Sequence, residues 1–219
     1  RFPAELFREL FAFFEQYNFT IDENDPDDAQ VGVDPEMLGR IFESLLEDNK
    51  EKGAFYTPKE IVQYMCRRSL TAYLQADVPD ERMRKKIDEF VRTKDYDCLR
   101  LYLPLSRREQ VAERLRTVKI CDPAIGSGAF PMGLLRELYL CRIALEDGVR
   151  ENWAKSHAEI KKEILQQNIY GVDLDRGAVD IARLRFWLSL VVDEDVPQPL
   201  PNLDYKIMQG NSLLERYKD

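Results

Sequence analysis

Val118-Lys119-Ile120-Cys121-Asp122 leads without a break into Pro123-Ala124-Ile125-Gly126-Ser127-Gly128-Ala129-Phe130. A short apolar run, a turn with two closely spaced glycines and an apolar stretch from about 129 to 145 read as strand, tight turn and helix. Gly126 and Gly128 remove Cβ atoms, so the backbone can bend sharply and lie against a ligand, while the helix start offers free amides and a positive dipole end. The turn therefore predicts a site for an anionic or hydrogen-bond-accepting group. Two nucleotide readings fail on the residues around it. A phosphate-binding P-loop needs Gly-Lys-Ser/Thr, and no Lys follows Gly128. A dinucleotide fingerprint would place a third glycine at 131, where the chain has Pro131, and Asp173 lies far beyond the ~20 residues expected for its acidic partner.

Downstream, a polar helix over 151–167 leads to a second strand over 168–173, a third helix from about 176 to 192, a loop with Pro197, Pro199 and Pro201, and a third strand over 205–208. Strands alternating with helices predict a parallel, doubly wound sheet. Upstream, residues 4–18 carry Leu6, Phe7, Leu10, Phe11, Phe13 and Phe14 at helical spacing, and Asp34-Pro35 opens a second amphipathic helix with Leu38, Ile41, Phe42, Leu45 and Leu46. A third helix is predicted over 58–74. The charged stretch 76–117 reads as two amphipathic helices, 80–92 and 106–117, joined by Tyr96 to Pro104 and lying outside the sheet as exposed helices.

The 219 residues suffice for one sizeable core. A formal net charge of −8 argues against this stretch alone gripping a phosphate backbone, because non-specific DNA affinity comes mainly from Lys and Arg. Cys66, Cys98, Cys121 and Cys141 show no metal-like spacing and read as reduced core thiols of a cytoplasmic protein. The single histidine, His157, sits in a polar run and reads as a surface residue without a partner, which excludes histidine-based triads and metal clusters. No apolar stretch reaches the length of a membrane span, and the first residues do not resemble a signal peptide.

Four stretches in order carry a family resemblance. Asp122 to Phe130 resembles the first motif of the amino-group DNA methyltransferases, and Gly53-Ala54-Phe55-Tyr56-Thr57-Pro58 resembles the motif that precedes it in the gamma-type order. Gly171-Val172-Asp173-Leu174-Asp175 resembles the ribose-binding motif, and Gly210-Asn211-Ser212-Leu213 the third. Together the matches cover about residues 34–75 and 118–214. Pro35-Glu36-Met37-Leu38-Gly39-Arg40-Ile41-Phe42-Glu43 narrows the resemblance to the large adenine-N6 methyltransferase chains of bacterial restriction-modification and phage-defence systems.

The resemblance implies S-adenosyl-L-methionine as cofactor, with Tyr56, Thr57, Asp122, Ala124, Gly126, Gly128, Phe130, Asp173, Leu174 and Asn211 around it. Asp173, at the end of the second strand, would accept both ribose hydroxyls, a task for which Asp175 is less suited because it stands where a cap of the next helix belongs. Leu174 would lie on the adenine face. Asp122 would hold the methionine ammonium, or else brace the turn through neighbouring amides. Asn211, where the family often has an acid, would accept from the exocyclic amine through its side-chain oxygen. Thr57 would lie near the methionine carboxylate, and Thr57-Pro58-Lys59-Glu60 also reads as a capping box with Pro at the first helical position.

The family's Asp/Asn-Pro-Pro-Tyr/Phe motif, which polarises the adenine amine and stacks on the flipped base, does not occur in these residues. The expected architecture is α/β: the first half of a Rossmann-like methyltransferase parallel sheet under an N-terminal helical cap. Its parts are the cap at 1–50, a cofactor-binding helix at 51–75, a charged helical insertion at 76–117 and the half-sheet at 118–219, cut off before the catalytic motif. Expected partners are duplex DNA, through parts mostly outside this stretch, and other restriction or defence subunits, with no membrane. The stretch itself is expected to be inactive. A cofactor-sensing scaffold, or methylation of RNA or protein, are the alternatives.

Overall fold

A computed structural model describes residues 57–149, 156–191 and 199–214, together with Arg8 and Ala12. The stretch 1–50, where a helical cap is expected, and Tyr56 lie outside the described residues, apart from Arg8 and Ala12, which are helical.

The first described helix, α1 (Lys59–Gln75), buries Val62, Cys66, Leu70 and Leu74, a spacing of four that keeps one face on the core. Helix α2 (Glu81–Thr93) is capped by Asp80, whose carboxylate accepts from the Arg82 and Met83 amides, and it stops at Lys94 in the left-handed region. A short α3 (Asp97–Arg100) and α4 (Leu105–Thr117) follow, the latter starting after Pro104. Then come β1 (Ile120–Asp122), α5 (Ala129–Val149), α6 (His157–Gln167), β2 (Ile169–Asp173), α7 (Arg176–Val191) and β3 (Ile207–Gln209). Ser156 and Glu159 form a reciprocal capping box at the start of α6.

All three strands are parallel and stand in chain order, β1-β2-β3. Ile120 pairs with Ile169, and Gly171 pairs with both Asp122 and Ile207. Asn168, wholly buried, sets the entry to this sheet: its side-chain amide donates to the Arg116 and Val118 carbonyls, and its own carbonyl accepts from the Ile120 amide. The strands are shorter than expected at their starts. A turn in which the Lys206 and Ile207 amides both donate to the Leu203 carbonyl delays β3 to residue 207.

Because side chains alternate along strands, Ile120, Ile169, Gly171 and Ile207 share one face. That face meets α5, α6 and α7. The other carries Cys121, Tyr170, Val172 and Met208, with Cys121 and Met208 exposed, so among the described residues only one face is covered. Cys66, Cys98 and Cys141 are buried and Cys121 is not, which corrects the expectation of four core thiols.

The 76–117 stretch holds α2, α3 and α4 and adds no strand. It is not peripheral, however. Ile87, Phe90, Val91, Leu99, Leu103, Val111 and Leu115 join the same core cluster as Leu135 and Leu138 of α5. An amphipathic helix of high charge can be solvated on one side and fully buried on the other. A buried carboxylate locks the arrangement: Glu137 of α5, 1% exposed, pairs with Arg67 of α1 at 2.9 Å and with Lys94 at the end of α2.

Candidate functional site

The glycine turn after β1 is fastened at three points. The Ile125 amide donates to the Val172 carbonyl at 3.0 Å, and the Ile125 side chain fills the space over Gly171, where a Cβ would come within 2.3 Å of its Cδ1. The Gly126 amide donates to Asp173 Oδ2 at 2.8 Å. From α7, buried Arg185 donates through Nη1 to the Ser127 carbonyl at 2.8 Å and to its hydroxyl at 3.2 Å.

The two glycines serve different ends. Gly126 has φ +54°, and nothing lies within 4 Å of where its Cβ would stand, so its bare side faces open space. Gly128 has φ +88°, and its Cβ would meet Ala182 Cβ at 3.3 Å, so its bareness lets α7 come close. Of the two, the turn opens at Gly126.

Asp173 ties the walls of this recess together. Its Oδ2 takes the Gly126 amide, its Oδ1 takes the Asp175 amide at 2.9 Å, and its carbonyl takes the Gly210 amide at 2.8 Å. Asp175 does the capping instead, accepting the Ala178 amide at 3.2 Å. Asp122 Oδ1 accepts the Ala124 amide at 3.1 Å, a bracing contact within the turn. Burial pushes the Asp122 carboxyl above its ordinary range; the Ala124 amide pulls it back, and the charge of Asp173 adds to the rise. Among the described residues neither carboxylate has a cationic partner. The recess is thus negatively charged and open.

The loop after β3 forms the third wall. Gln209 Nε2 donates to the Leu174 carbonyl at 3.1 Å, and Asn211 Oδ1 accepts the Leu213 amide at 3.0 Å. Ser212 Oγ donates to the Pro123 carbonyl at 2.8 Å, joining loops 89 residues apart. Leu174 and Leu213 are both strongly exposed. Part of the Asn211 oxygen's capacity is therefore committed to its own turn, a use that spacing did not reveal.

Helix α1 reaches the turn's far side. The Cys66 thiol donates to the Phe130 carbonyl at 3.5 Å, and a Cβ on Gly133 would lie 2.7 Å from Val62 Cγ1. Thr57 is half-buried ahead of α1, but the expected capping box is absent. Pro58 itself is the cap residue, with its carbonyl accepting from the Ile61 and Val62 amides, and no side chain caps the helix. Starting one residue later than predicted moves Thr57 out of cap register. Ala124 is exposed beside Asp122. His157 is exposed as expected, yet its Nδ1 is 2.7 Å from the Tyr139 hydroxyl, so it does have a partner. The sequence reading missed Arg185 and Ser212 as site-building residues, because their partners are 58 and 89 positions away.

The glycine turn, Asp173 and the loop after β3 all lie at the carboxyl ends of the parallel strands, the end where open α/β sheets bind their ligands. Residues 104–198 match the MmeI DNA-methyltransferase domain. Two relatives agree with that match. A protein of Methanocaldococcus jannaschii named as a type II restriction enzyme and methyltransferase is 32% identical over 96% of this chain and 19% of its own length. The adenine-specific methyltransferase BrxX of Escherichia coli O9:H4 (strain HS) is 26% identical over 67% of this chain and 11% of its own. Residues 104–198 are thus similar to a DNA-methyltransferase domain, and the two relatives are named as methyltransferases. The chain spans a fifth or less of the length of these relatives.

Proposed function

We propose that this chain is the S-adenosyl-L-methionine-binding portion of a site-specific DNA adenine-N6 methyltransferase, working in the cytoplasm within a restriction-modification or defence polypeptide. The observation that carries the reading is the open side of Gly126 beside two carboxylates that have no cationic partner among the described residues. A ligand there needs cationic groups and hydroxyl donors, and this cofactor has an ammonium, a sulfonium and a ribose. When bound, it supplies an electrophilic methyl group. Asp173 keeps a second lone pair on each oxygen for the ribose hydroxyls. Asp122 faces the ammonium, Gly126 leaves room for the ligand backbone, and exposed Leu174 offers an apolar surface to the adenine. Asn211 has its amide and a remaining lone pair for the base edge, while Tyr56 and Thr57 serve the carboxylate end. Ala124, Gly128 and Phe130 shape the turn.

Adenine as the target base is favoured by the name of one relative and by the motif order, and DNA by the names of the matched domain and relatives. Duplex DNA would be held largely by parts outside these residues, since a net charge of −8 gives little phosphate attraction. Other restriction or defence subunits are the expected partners. The residues here contain no aromatic Pro-Pro motif, so we expect no methyl transfer from this chain alone.

One experiment addresses these points with two readouts on the 219-residue chain. Calorimetry should show binding of S-adenosylmethionine, weakened by Asp173→Ala and abolished by Gly126→Trp. A filter assay with tritiated cofactor and adenine-rich duplex should show no incorporation above background. Equal affinity in Asp173→Ala would sink the ribose assignment, and incorporation abolished by Gly126→Trp would show catalytic residues where none are assigned.

A further inference from the structure

We propose that Ser212 is a positioning residue for the adenosine end of the pocket, acting as a clasp between the loops of the first and third strands. The inference rests on the cofactor reading above. In a sheet ordered β1-β2-β3, the outer strands stand about 9–10 Å apart, two strand spacings. The Ser212–Pro123 hydrogen bond spans that gap over the end of β2, where Asp173 lies. It closes a ring of contacts around the recess: Pro123 to Ser212, Gly210 to Asp173, Asp173 to Gly126, and the turn back to Pro123.

The clasp fixes its neighbours. Asn211 and Leu213 flank Ser212 in a turn closed by the Asn211 side chain, so anchoring Ser212 sets both relative to Leu174 and the glycine turn. Without the bond, the loop keeps its attachment to β2 through Gly210 and Gln209 but loses its tie to β1. Ser212 and Pro123 are both exposed, so water can replace either partner and the bond adds little to overall stability. Its effect should fall on ligand affinity.

The test is calorimetry of the full 219-residue chain with S-adenosylhomocysteine, adenosine and methionine as separate probes, beside thermal melts. Ser212→Ala should raise the dissociation constants for S-adenosylhomocysteine and adenosine about three- to tenfold, the cost of ordering the untied loop on binding, and leave methionine binding and the melting temperature unchanged. Ser212→Thr, which keeps the hydroxyl, should restore affinity. If the unchanged chain binds S-adenosylhomocysteine and Ser212→Ala binds it equally or more tightly, the clasp is refuted while the cofactor reading stands. If the unchanged chain binds neither S-adenosylhomocysteine nor S-adenosylmethionine, both fall. An affinity loss shared by methionine, or a matching drop in melting temperature, would reassign Ser212 to general loop stability.

Discussion

At the scale of single residues, Asp122 carries an electrostatic cost that a bound cation would relieve. Its carboxyl is raised first by burial and then by the charge of Asp173. An acid whose folded pKa lies above its unfolded one holds its proton more tightly in the native state. Stability therefore falls as pH rises from the unfolded pKa through the folded one, and stays lowered at neutral pH. Asp122→Asn keeps an oxygen for the Ala124 amide but removes the charge. It should raise the melting temperature of the unliganded chain at neutral pH, with the difference vanishing near about pH 3, below the ordinary carboxylate range. The same variant should bind S-adenosylmethionine more weakly. Melting curves at the two pH values, beside calorimetry, check this, and a less stable variant at neutral pH would contradict it. The residue types of this pair were legible in the sequence because each closes an apolar strand before a turn. Which oxygen takes which amide was not, since Asp173 and Gly126 are 47 positions apart.

Among elements, the seam between α1 and α5 decides where the turn sits, and Gly133 decides the seam. A Cβ there would stand 2.7 Å from Val62 Cγ1 and 2.9 Å from Cys66 Sγ. Replacing a helical glycine with alanine ordinarily gains up to about 1 kcal/mol, whereas overpacking a tight core costs about 1–3 kcal/mol. The clash should win, so Gly133→Ala should destabilise the chain by about 1 kcal/mol or more. In a background carrying Val62→Ala and Cys66→Ala the obstacle is gone, and the same change should stabilise. Denaturant unfolding of the four proteins measures the coupling; additive effects would mean that α5 shifts freely. Helical periodicity predicted both helices here, because burying every fourth residue leaves a mark in the sequence. The glycine's packing role and the Arg67–Glu137–Lys94 network leave none, since their partners are 43 to 71 positions away. The Thr57 capping box failed for a local reason: the pattern allows two helix starts one residue apart, and Pro58 takes the later one.

At the scale of the whole molecule, the distinguishing feature is that the described residues cover one face of the sheet and not the other. Strand-helix alternation foretells parallel strands, but it does not tell that α5, α6 and α7 meet the face of Ile120, Ile169 and Ile207 while Cys121 and Met208 stay exposed. Nor could charge density show that 76–117 belongs to the common core, because charge reports only the solvated side of a helix. The thiols make this arrangement measurable. Burial pushes Cys66 up to about 12 and Cys141 to about 11, and raises Cys98 as well. Reaction with a disulfide reagent requires both access and the thiolate, so these three should be protected at neutral pH. Cys121, exposed on the uncovered face, should react. Titration of the native chain with Ellman's reagent is expected to release one equivalent rapidly, and all four only in denaturant. Cys121→Ser should remove the rapid phase. A native chain with no rapid phase would mean that the face of Cys121, Tyr170, Val172 and Met208 is covered in solution, and more than one rapid equivalent would mean that the helical layer over the other face opens on the timescale of labelling.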